Sequence, residues 1–230
     1  MAKIAIIPAR GGSKRIPKKN IKLFLGKPII AYSIEAALSS NLFDEVMVST
    51  DNEEIASVAK KYGASVPFYR SSENATDYSS TVDALLEVLG QYSSQGKHFD
   101  LGCCIYPSAP FSSQELLLQG YNKLNDESLE VVFPVQAYEH PIQRSFSLGQ
   151  NNQIEMFSPN KQFTRTQDLT PHYHDAGQFY WFKSQSLLAN KSLFKGKIAA
   201  IKVSPLEAHD IDEPSDWQMA ELKFKLLKQL

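Results

Sequence analysis

Short apolar runs alternate with amphipathic stretches along this chain, a pattern that predicts βαβ units around a mostly parallel sheet. KIAIIPA reads as the first buried strand, and EVMVST, from Glu45 to Thr50, as the second. Between them, PIIAYSIEAALSS sets Pro28 at a first helical turn and repeats apolar residues at helical spacing. TDNEEIASVAKKYG opens on the cap-type residues Thr50 and Asp51 and stops at Gly63, which predicts another helix. VDALLEVLGQY and SQELLLQGYNKL read as helices, with the strand LGCCIY between them. VVFPVQA is a strand in which Pro134 implies an edge or an irregularity. GQFYWF and KIAAIKV are strands, and WQMAELKFKLLKQL is the closing helix. Tyr180, Trp181, Phe182, Cys103 and Cys104 fall at core positions.

The alternation lapses between Tyr138 and His174, which are rich in Gln, Asn, Pro and His. This 138–174 segment is expected to be an excursion from the sheet, serving as a lid or as contact with a second subunit. The whole chain, 1–230, then forms a single domain, with neither repeats nor low-complexity linkers. The expected fold is a three-layer α/β/α sandwich with a mixed, mostly parallel sheet.

Composition narrows the class. The 230 residues are 43% hydrophobic and 21% charged, ordinary for a globular domain. A net charge of −1 offers no whole-molecule attraction to nucleic acid or anionic lipid, so neither is expected as a partner. No signal-peptide pattern opens the sequence, and no apolar run reaches membrane-spanning length. The two cysteines are adjacent, a poor arrangement for a disulfide or a zinc site, so a reducing, cytoplasmic compartment is expected.

The richest segment is ARGGSKRIPKKN, Ala9 to Asn20, which follows the first strand where open α/β sheets bind ligands. Gly11 and Gly12 permit sharp turns and close backbone approach. Arg10, Lys14, Arg15, Lys18 and Lys19 supply charge, and no acidic residue occurs from Arg10 to Lys27. Such a loop suits a triphosphate whose leaving pyrophosphate gains charge. It is neither a Walker A loop nor a G-x-G-x-x-G fingerprint, and a solvated basic loop or a nucleic-acid patch shares its composition. Near the other end, HDIDEP sets Asp210 and Asp212 two residues apart, on one face of an extended segment. Two hard oxygen ligands beside a triphosphate suit Mg2+, although Asp212 also stands where it could start the helix that contains Pro214. Asp51 is a third acidic candidate or a helix cap, and Ser80 and Thr81 are nucleotide contacts or caps.

IIPARGGSKRIPKKNI closely resembles the opening motif of the CMP-sugar synthetases, which activate sialic acids and related 3-deoxy sugar acids. GKPIIAYSIEAAL and VMVSTDNEEIASVAKKYGA resemble the family's next two segments. YPSAPF, IQR, TRTQDL, HDAGQFYWF and HDIDEPSDW are most similar to the branch acting on pseudaminic acid. The resemblance covers nearly the whole chain and implies the Rossmann-like, nucleotide-diphospho-sugar transferase type of sandwich. It implies CTP and a nine-carbon sugar acid as substrates, Mg2+ as cofactor, a homodimer, and a product destined for surface structures such as flagellin.

By that resemblance Arg10 and Lys19 contact the phosphates, Asn20 positions the nucleotide, and Ala9, Gly11 and Gly12 touch it through the backbone. Asp210 and Asp212 correspond to the family's metal site. Arg144, Arg165, Gln167, Asp175 and Gln178, with Tyr106 at a strand end, offer the residue types that a sugar acid's carboxylate and hydroxyls need. The sialic acid branch has glutamine at the position of Tyr106 and asparagine at that of Asp175, which turns the expectation toward pseudaminic acid. N-acylneuraminate, legionaminate and 3-deoxy-octulosonate are alternative substrates. A non-catalytic CTP-binding module and a basic-loop RNA-binding protein are alternatives of another class, the latter disfavoured by the balanced charge.

Overall fold

A computed structural model of the chain describes residues 1–126 and 128–229. In chain order, β1 (Lys3–Pro8) is followed by a short hairpin, β2 (Leu23–Phe24) and β3 (Lys27–Pro28), then α1 (Ile29–Ser39) and β4 (Glu45–Ser49). Next come α2 (Glu53–Lys61), α3 (Thr81–Ser94), β5 (Leu101–Ile105), α4 (Gln114–Leu124) and β6 (Val131–Ala137). The later elements are β7 (Phe146–Leu148), β8 (Ile154–Met156), β9 (Tyr173–Asp175), β10 (Phe179–Lys183), α5 (Ser184–Asn190), β11 (Ile198–Val203) and α6 (Pro214–Lys228).

The central sheet runs β11-β6-β10-β5-β1-β4, with β9 also pairing β6. The β1–β4, β1–β5 and β6–β11 pairs are parallel, while β10 is antiparallel to both β5 and β6. This is the expected mixed, mostly parallel sheet. β1 is buried on both faces, as parallel strands covered by helices must be. Its Ala5 and Ile7 face a cluster with Ile30 and Ile34 of α1, Ile55 of α2 and Leu117 of α4. Ile4 and Ile6 face the opposite cluster, with Leu85 and Val88 of α3 and Leu187 of α5. The strand's period of two thus sorts one sequence run into two cores. Cys103, Cys104, Trp181 and Phe182 are fully buried, as their positions predict.

Pro134 does not mark an edge, because β6 lies between β11 and β10. Its irregularity is instead a switch of partner. β10 pairs β6 at Val131 and Val132, and β9 pairs it at Val135 to Ala137. Pro134 keeps register with Ile201 of β11 on one side and falls in the gap between β10 and β9 on the other, where its carbonyl accepts from the Ala176 amide at 3.1 Å. β9 and β10 are therefore one strand broken at Ala176–Gln178, and Gly177 takes the left-handed φ of +62° that the break requires.

α6 closes a third cluster, packing Trp217, Ala220 and Phe224 on Phe24, Ile29 and Phe111. Phe24 meets Tyr32, Trp217 and Phe224 edge-on at centroid distances of 5.5, 5.7 and 5.6 Å. The hairpin and α6 thus sit over the loop that follows β1. The 138–174 segment forms the small antiparallel pair β7–β8 and several 3-10 turns. Its Phe146, Leu148, Ile154, Phe157 and Phe163 are exposed.

Candidate active site

Buried neutral groups and one carboxylate fold the basic loop, with Lys19 partly buried and Lys14, Arg15 and Lys18 exposed. The Ala9 amide donates to the Ser49 carbonyl at 2.9 Å, extending the β1–β4 ladder by one residue. Asn20 is buried and donates from Nδ2 to the Arg10 carbonyl at 3.0 Å. Ile16 is buried in the cluster beneath α6. The Gly11 amide donates to Asp51 Oδ1 at 2.8 Å, and a Cβ at Gly11 would meet that of Asn52 at 3.1 Å, so a side chain there crowds the turn.

This scaffold presents Arg10, Lys14, Arg15 and Lys19 to a cleft of about 280 Å³ that also receives Asp77 and Asp212. Arg10 Nη1 lies 2.7 Å from Asp77 Oδ1, and Lys14 pairs with the same carboxylate. Arg15 Nη2 lies 2.9 Å and Lys19 Nζ 3.7 Å from Asp212 Oδ1. Lys19 Nζ also donates to the Ile211 carbonyl at 2.5 Å. Burial pulls the Lys19 ammonium below its ordinary pKa, against the upward effect of Asp212 and Asp210. A larger cleft, about 720 Å³, lies between α1, α4 and α6. It has no comparable set of cations, since one of its lysines, Lys27, is paired with Glu35.

The segment before α6 brings its carboxylates to the basic loop. Asp212 does not cap the helix: the cap position is Glu213, and Asp216 in the first turn accepts from the amides of Asp212 at 3.0 Å and Glu213 at 2.8 Å. The Asp212 side chain is thereby left to the cleft. Burial first, and then the Asp212 charge, raise the Asp210 pKa above its ordinary value. Two anions crowded in this way suit a hard divalent cation. Gly177, at a φ of +62°, lies against Asp210, where a Cβ would make an ordinary contact at 3.6 Å from Oδ1. Among the described residues no group of three or more His, Cys, Asp or Glu side chains could hold a metal. A cation at Asp210 and Asp212 would therefore complete its shell with phosphate and water.

Across Gly177 stands Asp175. Its Oδ1 accepts from the Gly177 amide at 2.8 Å, and its Oδ2 accepts from the Tyr180 hydroxyl. Burial raises the pKa of Tyr180 and of Tyr106, whose rings lie 5.4 Å apart. The Tyr106 hydroxyl is 3.4 Å from Thr81 Oγ1. Its backbone is fixed from both sides, by its amide to the Gln178 carbonyl and by Ser33 Oγ to its own carbonyl, each at 2.8 Å. A polar line from Thr81 through the two tyrosines to Asp175 thus borders the Asp210 carboxylate.

A family profile described as Cytidylyltransferase matches residues 4–230. The chain belongs to the cytidylyltransferase family. It is 43% identical over 226 residues to a pseudaminic acid cytidylyltransferase of Campylobacter jejuni subsp. jejuni, covering 98% of this chain and 97% of the relative. It is 33% identical over 226 residues to a CMP-N,N'-diacetyllegionaminic acid synthase of Legionella pneumophila subsp. pneumophila, covering 97% and 96%. In fold it is similar to a solved CMP:2-keto-3-deoxy-manno-octonic acid synthetase complexed with CTP, with a TM-score of 0.72, 18% identity and full coverage of both chains.

As a cytidylyltransferase, the chain is a CTP-dependent nucleotidyltransferase, and no helix among its described residues is long and apolar enough to cross a membrane. Other candidate side chains already have partners within the fold. The cap of α2 is Asn52, accepting from the Ile55 amide at 3.0 Å, rather than Thr50 or Asp51. Ser80 caps α3 in a reciprocal pair with Asp83. Gln178 is buried and donates to the Glu207 carbonyl. Arg144 donates to the Thr164 carbonyl at 2.5 Å and so ties the excursion to itself. Arg165 pairs with Asp168 at 2.8 Å, and both Arg165 and Gln167 are exposed on the excursion.

Three polar contacts of this cytidylyltransferase carry no signal in the sequence. Tyr180 reads as core and its ring is core, but its hydroxyl reaches Asp175. Asp77 lies 67 positions from Arg10, so no local signal joins them. Arg70 is buried and donates from Nε to Ser49 Oγ at 3.0 Å and from Nη2 to the Ser49 carbonyl at 2.7 Å. Burial lowers its pKa, and the nearby Asp51 and Glu87 carboxylates oppose that shift.

Proposed function

We propose that this cytidylyltransferase joins CMP from CTP to the anomeric hydroxyl of pseudaminic acid, releasing pyrophosphate. The carrying observation for the sugar is the near full-length similarity to the Campylobacter relative, and Tyr106 and Asp175 at the sugar side support it. In the reaction the anomeric hydroxyl loses its proton to solvent and its oxygen attacks the α-phosphorus, the bond from that phosphorus to the bridging oxygen breaks, and pyrophosphate leaves with the bonding pair. Arg10, Lys19 and the neighbouring cations offset the charge that accumulates on the departing phosphates. Ala9, Gly11, Gly12 and Asn20 bring the loop backbone against the nucleotide, while Thr81 stands at the start of α3.

Asp210 and Asp212 would hold Mg2+, which when bound supplies a Lewis acid that lowers the pKa of the sugar hydroxyl. Asp175 and the tyrosines orient the sugar. A homodimer is proposed as the working form, because the excursion leaves Phe146, Leu148, Ile154, Phe157 and Phe163 exposed. Arg165 and Gln167 lie on the same excursion, so a second copy would carry them toward a neighbouring crevice. A cytoplasmic reaction is proposed, in keeping with the free, buried Cys103 and Cys104.

The test is incubation with CTP, Mg2+ and a panel of nonulosonic acids, reading pyrophosphate and the mass of the CMP-sugar. Pseudaminic acid is expected to give the highest specificity constant. A higher value for a legionaminic or N-acylneuraminic acid would move the substrate assignment and leave the cytidylyl transfer standing.

A further inference from the structure

Each of the four cations of the cleft faces a carboxylate. Asp77 takes Arg10 and Lys14, and Asp212 takes Arg15 and Lys19. The two carboxylates differ in what can replace those partners. Asp212 has Asp210 beside it and a metal role, and a divalent cation there would release Arg15 and Lys19 to the phosphates. Asp77 has no such companion, and it comes from a separate segment between Arg70 and α3.

That segment is built to present Asp77. The Ser71 amide donates to Glu87 Oε1 at 2.7 Å and Asn74 Nδ2 to Glu87 Oε2 at 2.6 Å, fastening its start to α3. Ser79 Oγ lies 2.7 Å from Thr76 Oγ1 and donates to the Glu73 carbonyl at 2.8 Å, closing the turn around residue 77. The reciprocal cap of Ser80 and Asp83 fixes its end.

We propose that Asp77 is a resident stand-in for phosphate, holding Arg10 and Lys14 at the cleft and giving them up to the triphosphate. It thereby sets how tightly the cleft retains CTP and how readily pyrophosphate leaves. Carboxylate and phosphate oxygens compete for the same N–H donors, and their like charges forbid sharing them closely. Exposed ion pairs are weak, so a triphosphate displaces Asp77 at a cost in affinity of about 3- to 10-fold. In return, Arg10 and Lys14 are not left without a carboxylate beside the two cations that Asp212 already holds. After transfer, Asp77 retakes Arg10 and Lys14 as pyrophosphate, the more densely charged product, departs.

This inference rests on reading the cleft as the triphosphate site, and the experiment separates the two. Dissociation constants for CTP, pyrophosphate and cytidine are measured by calorimetry on the full chain carrying Asp77→Asn, Asp77→Glu or Arg10→Ala. Asp77→Asn should bind CTP and pyrophosphate about 3- to 10-fold more tightly and cytidine as the wild type does. Pyrophosphate should also become a stronger product inhibitor, and Asp77→Glu should return both affinities toward wild type. If Arg10→Ala weakens CTP binding while Asp77→Asn weakens it or leaves it unchanged, the stand-in role is overturned. If Arg10→Ala leaves CTP binding unchanged, the triphosphate reading of the cleft fails first.

Discussion

Asp51 Oδ1 accepts the Gly11 amide at 2.8 Å, so the residue two positions after β4 fixes the turn that follows β1. A carboxylate-to-amide bond is stronger than a neutral one. Asp51→Ala should loosen the loop without touching the core, raising KM for CTP several-fold and lowering stability by about 1–2 kcal/mol. Steady-state kinetics and thermal unfolding of one preparation check both effects, and an unchanged KM would remove Asp51 from the loop's support.

Arg10→Ala should lower turnover by about 10²-fold or more, the size of effect expected when one donor to a developing anion is removed. The fold should persist, because the Arg10 side chain packs in no core cluster and its pair with Asp77 is solvent-exposed. The far-ultraviolet spectrum and unfolding midpoint serve as controls.

Asp210→Asn carries a prediction of opposite sign for activity and stability. Burial and Asp212 raise the Asp210 pKa in the folded chain, so the carboxyl holds its proton more tightly there than in the unfolded chain. Its contribution to stability is therefore fully present below the unfolded pKa and is lost as pH rises through the folded pKa. Without metal, Asp210→Asn should be more stable than wild type at neutral pH, and the difference should vanish as pH falls below the ordinary carboxylate range. Turnover with Mg2+ should collapse in the same variant. Denaturation across pH, set beside the rate, shows whether the gain and the loss travel together.

Asp212→Asn and Asp216→Ala separate the metal role from the helix start. The first should depress turnover and its dependence on Mg2+ while leaving the α6 cap intact. The second removes the acceptor for two amides and should cost about 1 kcal/mol of stability. Reversed outcomes would return Asp212 to a capping role.

Gly102→Ala tests the packing beneath the crevice. A Cβ there would fall 2.2 Å from the Phe182 ring. The ring is fully buried, so about 1–3 kcal/mol of destabilisation is expected from overpacking. Denaturant titration reads it directly.

Much of the fold was legible because β1, β4 and β5 are apolar runs of strand length separated by amphipathic helices. The basic loop was legible because its glycines and cations are contiguous. What escaped was set by contacts between distant segments. Nothing near Asp77 announces Arg10, and nothing in FYWF says that the strand runs antiparallel between β5 and β6. The cap of α2 was misplaced because Thr50, Asp51 and Asn52 are all capping residues in a row, and only the loop's claim on Asp51 leaves Asn52 to the helix. The sheet role of Pro134 was half legible, since an irregularity was expected but the alternative of an edge ignored a strand, β11, that pairs from far along the chain.

The position of β10 has a consequence for how the protein is made. Strands β5 and β6 lie on either side of β10 and do not pair with each other, so neither completes its hydrogen bonding until Phe179–Lys183 has been synthesised. A nascent chain that ends within the excursion carries the β4-β1-β5 half of the sheet with the open flank of β5 unpaired. Strand edges of this kind invite wrong partners during translation. Closure of the sheet is thus a late, long-range event, and the yield of folded enzyme depends on the ribosome passing Lys183 before neighbouring chains find that flank.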